Sequence, residues 1–317
     1  MDDAAASPAR RFAEALDRLV PGFATSDQKL GLAVSGGPDS LALLLLAHEN
    51  FPGRAVAATV DHGLRPEGRE EAEFVASVCS ERGIPHEILR PVVPIRGSIQ
   101  SAARHARYGL LHDWMTERHI DWLATAHHAD DQLETMIMRI LRGSGIDGMS
   151  GIRAKRGNIV RPLLHFQKAE LIAYVAEQGI DAVDDPSNRD QGFDRVRVRN
   201  ALQDLEGFDM TLASQSADAL GAAREAVEWM TDKLAADHIR ITDPGCTLAR
   251  TAFPHEIQRR LLLKCLHICD PALSPRGNQI DQTIIALEKG ETVTLGDILC
   301  RGGAAWRFQP APKRRNG

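Results

Sequence analysis

The sequence predicts an α/β protein, with an open parallel sheet carrying helices on both faces and a smaller C-terminal α+β region behind it. Short apolar runs alternate with helical stretches from residue 29 to residue 142, the order expected of a parallel sheet. The runs at 29–34, 54–60 and 122–125 each end in polar residues equipped for chemistry, and ligands of such sheets lie at the carboxyl ends of the strands. A glycine-rich turn joins the first run to an apolar helix, a geometry that presents backbone N–H groups to a phosphate.

Phe12, Leu16 and Leu19 repeat at helical spacing and predict a short amphipathic helix over 10–20, closed by Pro21 and Gly22. KLGLAV at 29–34 reads as a buried strand and LALLLLA at 41–47 as the start of a largely buried helix. RAVAATV at 54–60 is the second strand. A helix is expected over about 66–82, with proline early and Gly83 just past its end. The third strand is 86–89, followed by a long helix over 98–119, the fourth strand at 122–125 and a helix over 130–142 that Gly143 stops. Beyond Gly143 the pattern breaks into loops, then helices at about 167–178 and 212–236. TDPG at 242–245 reads as a linker. Helices near 255–269 and 277–288, then strands in TVTL and AAWRF, complete a small second domain. The expected division is a phosphate-binding domain over 1–203, a helical connector over 204–245, a C-terminal domain over 246–312 and a basic tail at 313–317.

Length allows about two domains and a sizeable core. No apolar run reaches bilayer length, and MDDAAASPARRF lacks the apolar core of a signal peptide. Cys79, Cys246, Cys265, Cys269 and Cys300 are scattered and odd in number, and read as reduced thiols of a cytoplasmic protein. Cys265 and Cys269 stand one helical turn apart, but no second pair accompanies them, so they read as buried helix residues. The net charge of −5 argues against indiscriminate nucleic-acid binding and leaves room for a local patch. Arg139, Arg142, Arg153, Lys155, Arg156, Arg161 and Lys168 share one stretch in which Asp147 is the only acid, and Arg195, Arg197 and Arg199 follow. Solvated surface charge accounts for any one of these, while their clustering points to a polyanion partner.

Two constellations carry chemistry. The first is Ser35-Gly36-Gly37-Pro38-Asp39-Ser40. Its glycines let the backbone approach a phosphate, and Pro38 suits a first helical turn. Asp39 then sits beside the phosphates, where a carboxylate is useful through a bridging Mg²⁺. The alternative is a plain strand-to-helix turn capped by Ser35. The segment lacks the lysine of the Walker pattern and the third glycine of the dinucleotide fingerprint. The second constellation is TAHHADDQLET at 125–135. With a helix starting near Ala129, Asp131 and Glu134 lie three apart on one face, and Asp130 and Glu134 four apart. A histidine with paired carboxylates can hold Mg²⁺ or serve as acid and base. The competing reading is an acidic first turn that complements the helix dipole.

The ordered set SGGPDS (35–40), VDHGLR (60–65), SAARHARY (101–108), TAHHADDQLET (125–135), LRGSGIDG (141–148), RPLL (161–164), DDPSN (184–188) and FDRVRVRN (193–200) closely resembles the bacterial tRNA(Ile)-lysidine synthetases of the PP-loop ATP pyrophosphatase superfamily. The resemblance covers about residues 29–200 and continues more weakly in TLGDILCRGGAAWRF (294–308). It implies an adenine nucleotide α-hydrolase-like fold and a ligase acting on the isoleucine tRNA with a CAU anticodon. That family replaces the C2 oxygen of the wobble cytidine with the ε-amine of free lysine. It consumes ATP through an adenylated cytidine and releases AMP and pyrophosphate.

By this resemblance Ser35, Gly36, Gly37, Pro38, Asp39 and Ser40 hold the pyrophosphate, and Val60, Asp61 and His62 lie near the adenosine, chiefly through main-chain contacts. Asp131 and Glu134 are the candidates for the reacting centre, with Asp130 a metal or orienting partner beside Asp39. One carboxylate either relieves lysine of its proton or anchors its amine. His127 binds phosphate or caps the turn. Arg104 and Arg107 share a helix face and either neutralise phosphate charge or pair with Asp131 or Glu134. Arg199 matches a family position associated with activity. In an extended segment Arg195, Arg197 and Arg199 share a face; in a helix Arg195 and Arg199 do and Arg197 does not. Arg142 and Arg161 belong to the expected tRNA contacts, and Asp184 and Asn188 to a polar loop that recognises lysine or merely forms a capped turn. The methionine tRNAs also carry CAU, so residues 205–310 are expected to read other tRNA features. No oligomeric state is legible, a homodimer being one option. A tRNA thiolase is the nearest rival, and it needs cysteine pairs that this chain lacks. A nucleotide-dependent tRNA-binding module without chemistry is the other, and it has no need of Asp39, Asp131 and Glu134.

Overall fold

A computed structural model describes residues 7–63, 67–91, 99–182, 194–203 and 210–312, without the side chains of 99–102, 194–196, 203 and 210. The elements run α1 (Pro8–Leu19), β1 (Leu30–Ala33), α2 (Pro38–Asn50), β2 (Ala55–Val60), α3 (Glu67–Glu81), β3 (His86–Leu89), α4 (Ile99–Glu117), β4 (Trp122–Ala124) and α5 (Ala129–Ile140). They continue with α6 (Ile146–Met149), β5 (Lys155–Arg156), β6 (Ile159–Val160), α7 (Lys168–Glu177), α8 (Asp194–Gln203), α9 (Met210–His238), β7 (Ile239–Thr242) and β8 (Gly245–Leu248). The chain closes with α10 (His255–Cys269), α11 (Gly277–Glu288), β9 (Thr292–Leu295), β10 (Ile298–Arg301) and β11 (Trp306–Pro310). Two compact units result, divided between Gly221 and Ala222 inside α9. No helix of the described residues is long and apolar enough to cross a membrane.

The first unit holds a sheet in the order β3-β2-β1-β4-β6-β5, in which only β5 runs antiparallel to its neighbour. β1 lies between β2 and β4, with Leu30 opposite both Ala55 and Trp122. Connections leave β1 toward β2 and β3, then return past it to β4, so the strand order reverses between β1 and β4. A crevice opens at such a reversal, outside the carboxyl ends of the strands.

Burial explains why α2 reads as apolar all round. Leu41 to Ala47 are all buried, with Phe12 and Leu16 of α1, the strands β1 and β2, and Leu171 and Val175 of α7 in the same core. A helix covered on every side gains nothing from a polar face. The other face of the sheet is covered by Leu111, Trp114 and Met115 of α4, which pack with Ala58, Leu123 and the inward side of β2. Truncating one of these leucines to alanine costs about 2–5 kcal/mol through lost burial and the cavity left behind.

The stretch after Gly143, expected as loops, contains α6 and the β5–β6 hairpin, and β6 extends the parallel sheet beside β4. Two-residue strands are too short for periodicity to show. TDPG at 242–245 is not a linker. It is the turn of the antiparallel β7–β8 pair, with Thr242 opposite Gly245. Gly245 is required there because a Cβ would lie 1.9 Å from the carbonyl oxygen of Phe308 on β11.

The second unit packs α10 and α11 on one face of a sheet ordered β7-β8-β11-β10-β9, antiparallel throughout. Cys246, Leu248, Trp306, Phe308, Ile298 and Cys300 point into that core with Leu261, Leu262, Cys265 and Ile284. Cys246, Cys265 and Cys300 are therefore buried, and Cys269 is partly so. Loss of solvation pushes the Cys300 thiol up to about 12.

Candidate active site

The loop after β1 folds around one hydroxyl. Ser40 Oγ accepts from the N–H of Ser35 at 3.1 Å and of Gly36 at 3.2 Å, and donates to the carbonyl of Gly37 at 2.9 Å. Gly36 has φ +93°, a conformation that side-chain-bearing residues avoid, so the first glycine of the motif is a backbone requirement. α2 starts at Pro38 with Gly37 as its N-cap and no side-chain cap, so Ser35 does not cap this helix. The Ser40 and Leu41 N–H groups bond to the Gly37 carbonyl, and Gly37, Pro38, Asp39 and Ser40 put the start of α2, the end of a helix that suits an anion, on the crevice wall.

That crevice is a half-open cleft of about 900 Å³. Ser35, Gly37, Pro38, Asp39 and Ser40 line it from β1, and Val60, Asp61 and His62 from β2. Thr125, His127, His128 and Asp131 come from the end of β4 and the start of α5, Arg104, Arg107 and Tyr108 from α4, and Arg199 from α8. Segments far apart in sequence meet because β1 separates β2 from β4 in the sheet.

His128 joins the two constellations. Its imidazole is 3 % exposed, with Nε2 at 3.4 Å from Asp39 Oδ2 and 3.5 Å from Asp131 Oδ2, and Nδ1 at 3.5 Å from Asp130 Oδ2. Burial alone would lower its pKa, but the surrounding carboxylates of Asp130, Asp39 and Asp131 override this and raise it to about 10. At 3.4–3.5 Å these contacts act as charge attraction, and Nδ1 makes no formed hydrogen bond. His128 thus stands among three acids that come from the two constellations. The motif contains it, but its chemistry is invisible in the sequence, because β1 is what brings Asp39 beside it.

Each carboxylate has a distinct position. Asp131 Oδ2 accepts from the backbone N–H of His128 at 3.2 Å, capping α5, and the same residue lines the cleft. Glu134, 2 % exposed, receives Arg199 Nε on Oε1 at 2.6 Å and Nη2 on Oε2 at 3.3 Å. Asp130 does not line the cleft; its Oδ2 accepts from the N–H of Lys168 at 2.9 Å and ties α5 to α7. Asp39 Oδ1 is buried without a hydrogen-bond partner. His127 Nδ1 lies 3.0 Å from Thr125 Oγ1.

On β2, Asp61 accepts from Gly63 N–H at 2.9 Å and from Arg90 Nε at 2.9 Å, which together hold its carboxyl below the usual range against the cost of burial. Both ring nitrogens of His62 are shielded without a hydrogen-bond partner. Desolvation, then the nearby Arg107, lowers its pKa against the opposite pull of Asp61.

The basic residues divide. Arg104 and Arg107 line the cleft with Tyr108, Arg104 stacking on the Tyr108 ring at 5.2 Å. Arg161 is buried, donating to the carbonyl of Arg153 at 2.6 Å, and does not face the cleft. Arg142, Arg153 and Arg156 are exposed beyond α5 and on the β5–β6 hairpin, while Lys155 is held over the Trp122 ring at 4.3 Å. α8 is helical, which puts Arg195 and Arg199 on one face and the exposed Arg197 on another. The Arg195 side chain, Asp184 and Asn188 lie outside the described residues, as does the basic tail.

A family model described as a PP-loop domain matches residues 7–206, which implies ATP binding. The tRNA(Ile)-lysidine synthase of Zymomonas mobilis subsp. mobilis is 42% identical over 297 residues, covering 90% of each chain. That of Novosphingobium aromaticivorans is 39% identical over 297 residues, again covering 90% of each. Among solved structures, the U34-tRNA thiolase NcsA from Methanococcus maripaludis with its 4Fe-4S cluster matches with a TM-score of 0.54 and 18% identity, over 67% of this chain and 77% of that one. This last likeness speaks to the fold alone. On the PP-loop match and the extent and identity of these relatives, the chain belongs to the tRNA(Ile)-lysidine synthase family.

Proposed function

We propose that this protein ligates free lysine to C2 of the wobble cytidine in the CAU-anticodon isoleucine tRNA. The reaction consumes ATP and yields lysidine, AMP and pyrophosphate. The observation that supports it most is the meeting of the Ser35–Ser40 loop with Asp131 through His128 in a cleft that Arg104, Arg107 and Arg199 also line.

A cytosine C2 carbonyl is urea-like, a poor electrophile whose oxygen is a poor leaving group. In the first step that oxygen attacks the α-phosphorus of ATP and the bond to the β-phosphate oxygen breaks, releasing pyrophosphate. The loop and the start of α2 receive the departing phosphates, and Arg104 and Arg107 offset their charge. Asp39 fits a Mg²⁺ role through its unpartnered buried Oδ1, since Mg²⁺ takes one or two carboxylates and completes its shell with phosphates and water. That ion would neutralise phosphate charge. Asp130 is already engaged with Lys168, which leaves the metal role to Asp39.

In the second step the lysine ε-amine attacks C2, the bond to the adenylated oxygen breaks, and AMP leaves. An ammonium with an unperturbed pKa near ~10.4 cannot attack, so the amine must first lose a proton. Glu134 is committed to Arg199, so Asp131, which lines the cleft, faces the amine as its base or its electrostatic anchor. The base must leave its stack in the anticodon loop to enter the cleft, as in other enzymes that modify a base.

The test is transfer of radiolabelled lysine to a CAU isoleucine tRNA transcript, with and without ATP, against a methionine tRNA. ATP-dependent labelling of the isoleucine tRNA alone is the expected result. ATP cleavage to AMP without lysine transfer would keep the nucleotide chemistry and overturn the substrate. No cysteine lines the cleft among the described residues, which disfavours the thiolase alternative, and sulfur incorporation would be its signature.

A further inference from the structure

The five-stranded sheet of the second unit has one face buried against α10 and α11 and the other exposed. Register places Arg301 of β10 opposite Arg307 of β11, Arg307 opposite Thr247 of β8, and Thr247 opposite Arg240 of β7. The three arginines thus stand in one row across the strands, and all three are exposed. With neighbouring strands about 4.8 Å apart, Arg301 and Arg307 are in contact range and Arg240 is roughly 10 Å further along.

This row is not an ordinary charged surface. Like charges directly opposite on antiparallel strands are destabilising, and an exposed sheet relieves them with cross-strand acids. Alternation puts threonine, glutamine, leucine and glycine at every other outward position of these strands, with no Asp or Glu among them. Among the described residues no carboxylate pairs with Arg240, Arg301 or Arg307; Arg240 touches only the carbonyls of Ala236 and Ile239. The fold keeps a row of repelling guanidinium groups on a face that is otherwise neutral.

We propose that this arginine row binds the phosphate backbone of the tRNA substrate, an inference that rests on the tRNA reading above. Guanidinium forks match phosphate oxygens two at a time. Thr292, Thr294 and Gln309 on the same face supply neutral hydrogen-bonding groups of the kind that accompany backbone contacts. The strands turn no aromatic residue outward there. That absence argues against stacked bases and against a protein partner, whose hot spots favour buried aromatics. The face therefore positions RNA and reads its path, leaving base recognition to the cleft.

The test compares the full chain with R301E/R307E and R301K/R307K for binding of the isoleucine tRNA transcript between about 50 and 200 mM salt. The glutamate pair should weaken binding at least about tenfold and lower the slope of log Kd against log salt by about 1–2 units. The lysine pair should keep the slope. R301E alone places an acid opposite Arg307, so it should raise Tm while weakening tRNA binding, a combination that a structural role does not give. Unchanged Kd and slope in R301E/R307E would overturn the proposal. The slope is read without turnover, so it decides the row even if the parent transfers no lysine.

Discussion

Arg199 on α8 meets Glu134 on α5 through two nitrogens, Nε to Oε1 at 2.6 Å and Nη2 to Oε2 at 3.3 Å, across 65 residues of chain. The pair fixes α8 against α5 and satisfies a carboxylate that is 2 % exposed. Removing one member of such a pair leaves an uncompensated charge, which is worse than removing both. R199A should therefore lower stability by about 3 kcal/mol, and E134Q/R199A by clearly less than the sum of the single changes. Denaturant unfolding of the four proteins measures the coupling. Strict additivity would mean that the pair does not form in solution.

His128 carries a different expectation. With His128→Ala, Asp39 and Asp131 lose the ring between them, and their carboxylates confront each other beside the Ser35–Ser40 loop. Pyrophosphate release dependent on tRNA should fall about a hundredfold, with tRNA binding retained. A variant at full activity would show that His128 fills space and positions nothing.

Ser40 organises the Ser35–Ser40 loop through four contacts to its hydroxyl. Ser40→Ala deletes them from a buried site and should raise the KM for ATP about tenfold, with faster hydrogen exchange at the Ser35 and Gly36 amides. Exchange at the parental rate would mean that the backbone holds the loop without the hydroxyl.

Acid sensitivity should come from β3. His86 lies 2.9 Å from Thr59 Oγ1, and desolvation lowers its pKa below the ordinary 6.5, outweighing the opposite pull of Glu87. Between the depressed folded value and 6.5 the unfolded chain binds the proton and the native protein does not. Stability is therefore full above pH 6.5 and declines as the pH falls below it. His86→Gln should remove this part of the acid-side loss in Tm. An unaltered profile would assign the loss to other groups.

The sequence by itself determined most of the local structure and the chemistry of the loops. Apolar runs placed β1, β2 and β4 within a residue or two, because strands buried on both faces must be apolar throughout. Gly36 was legible because only its backbone freedom permits that turn. Ser35–Ser40 and 125–135 stood out as candidate segments because glycine-rich turns and acidic helix starts are local designs, and both line the cleft. Tertiary structure decided the rest. The order β3-β2-β1-β4 set Asp39 against His128, a contact no spacing encodes. Packing chose a helix for 194–203, where alternating arginines suited either conformation, and so aimed Arg199 at Glu134. Arg161 was buried and Arg153 left exposed, though both belong to one basic stretch. In the second unit, strand register aligned Arg240, Arg301 and Arg307 from segments that look unrelated in sequence. Composition and periodicity report which faces are apolar, whereas pairing across long loops depends on which strands become neighbours, and that is settled only when the sheet closes on its core.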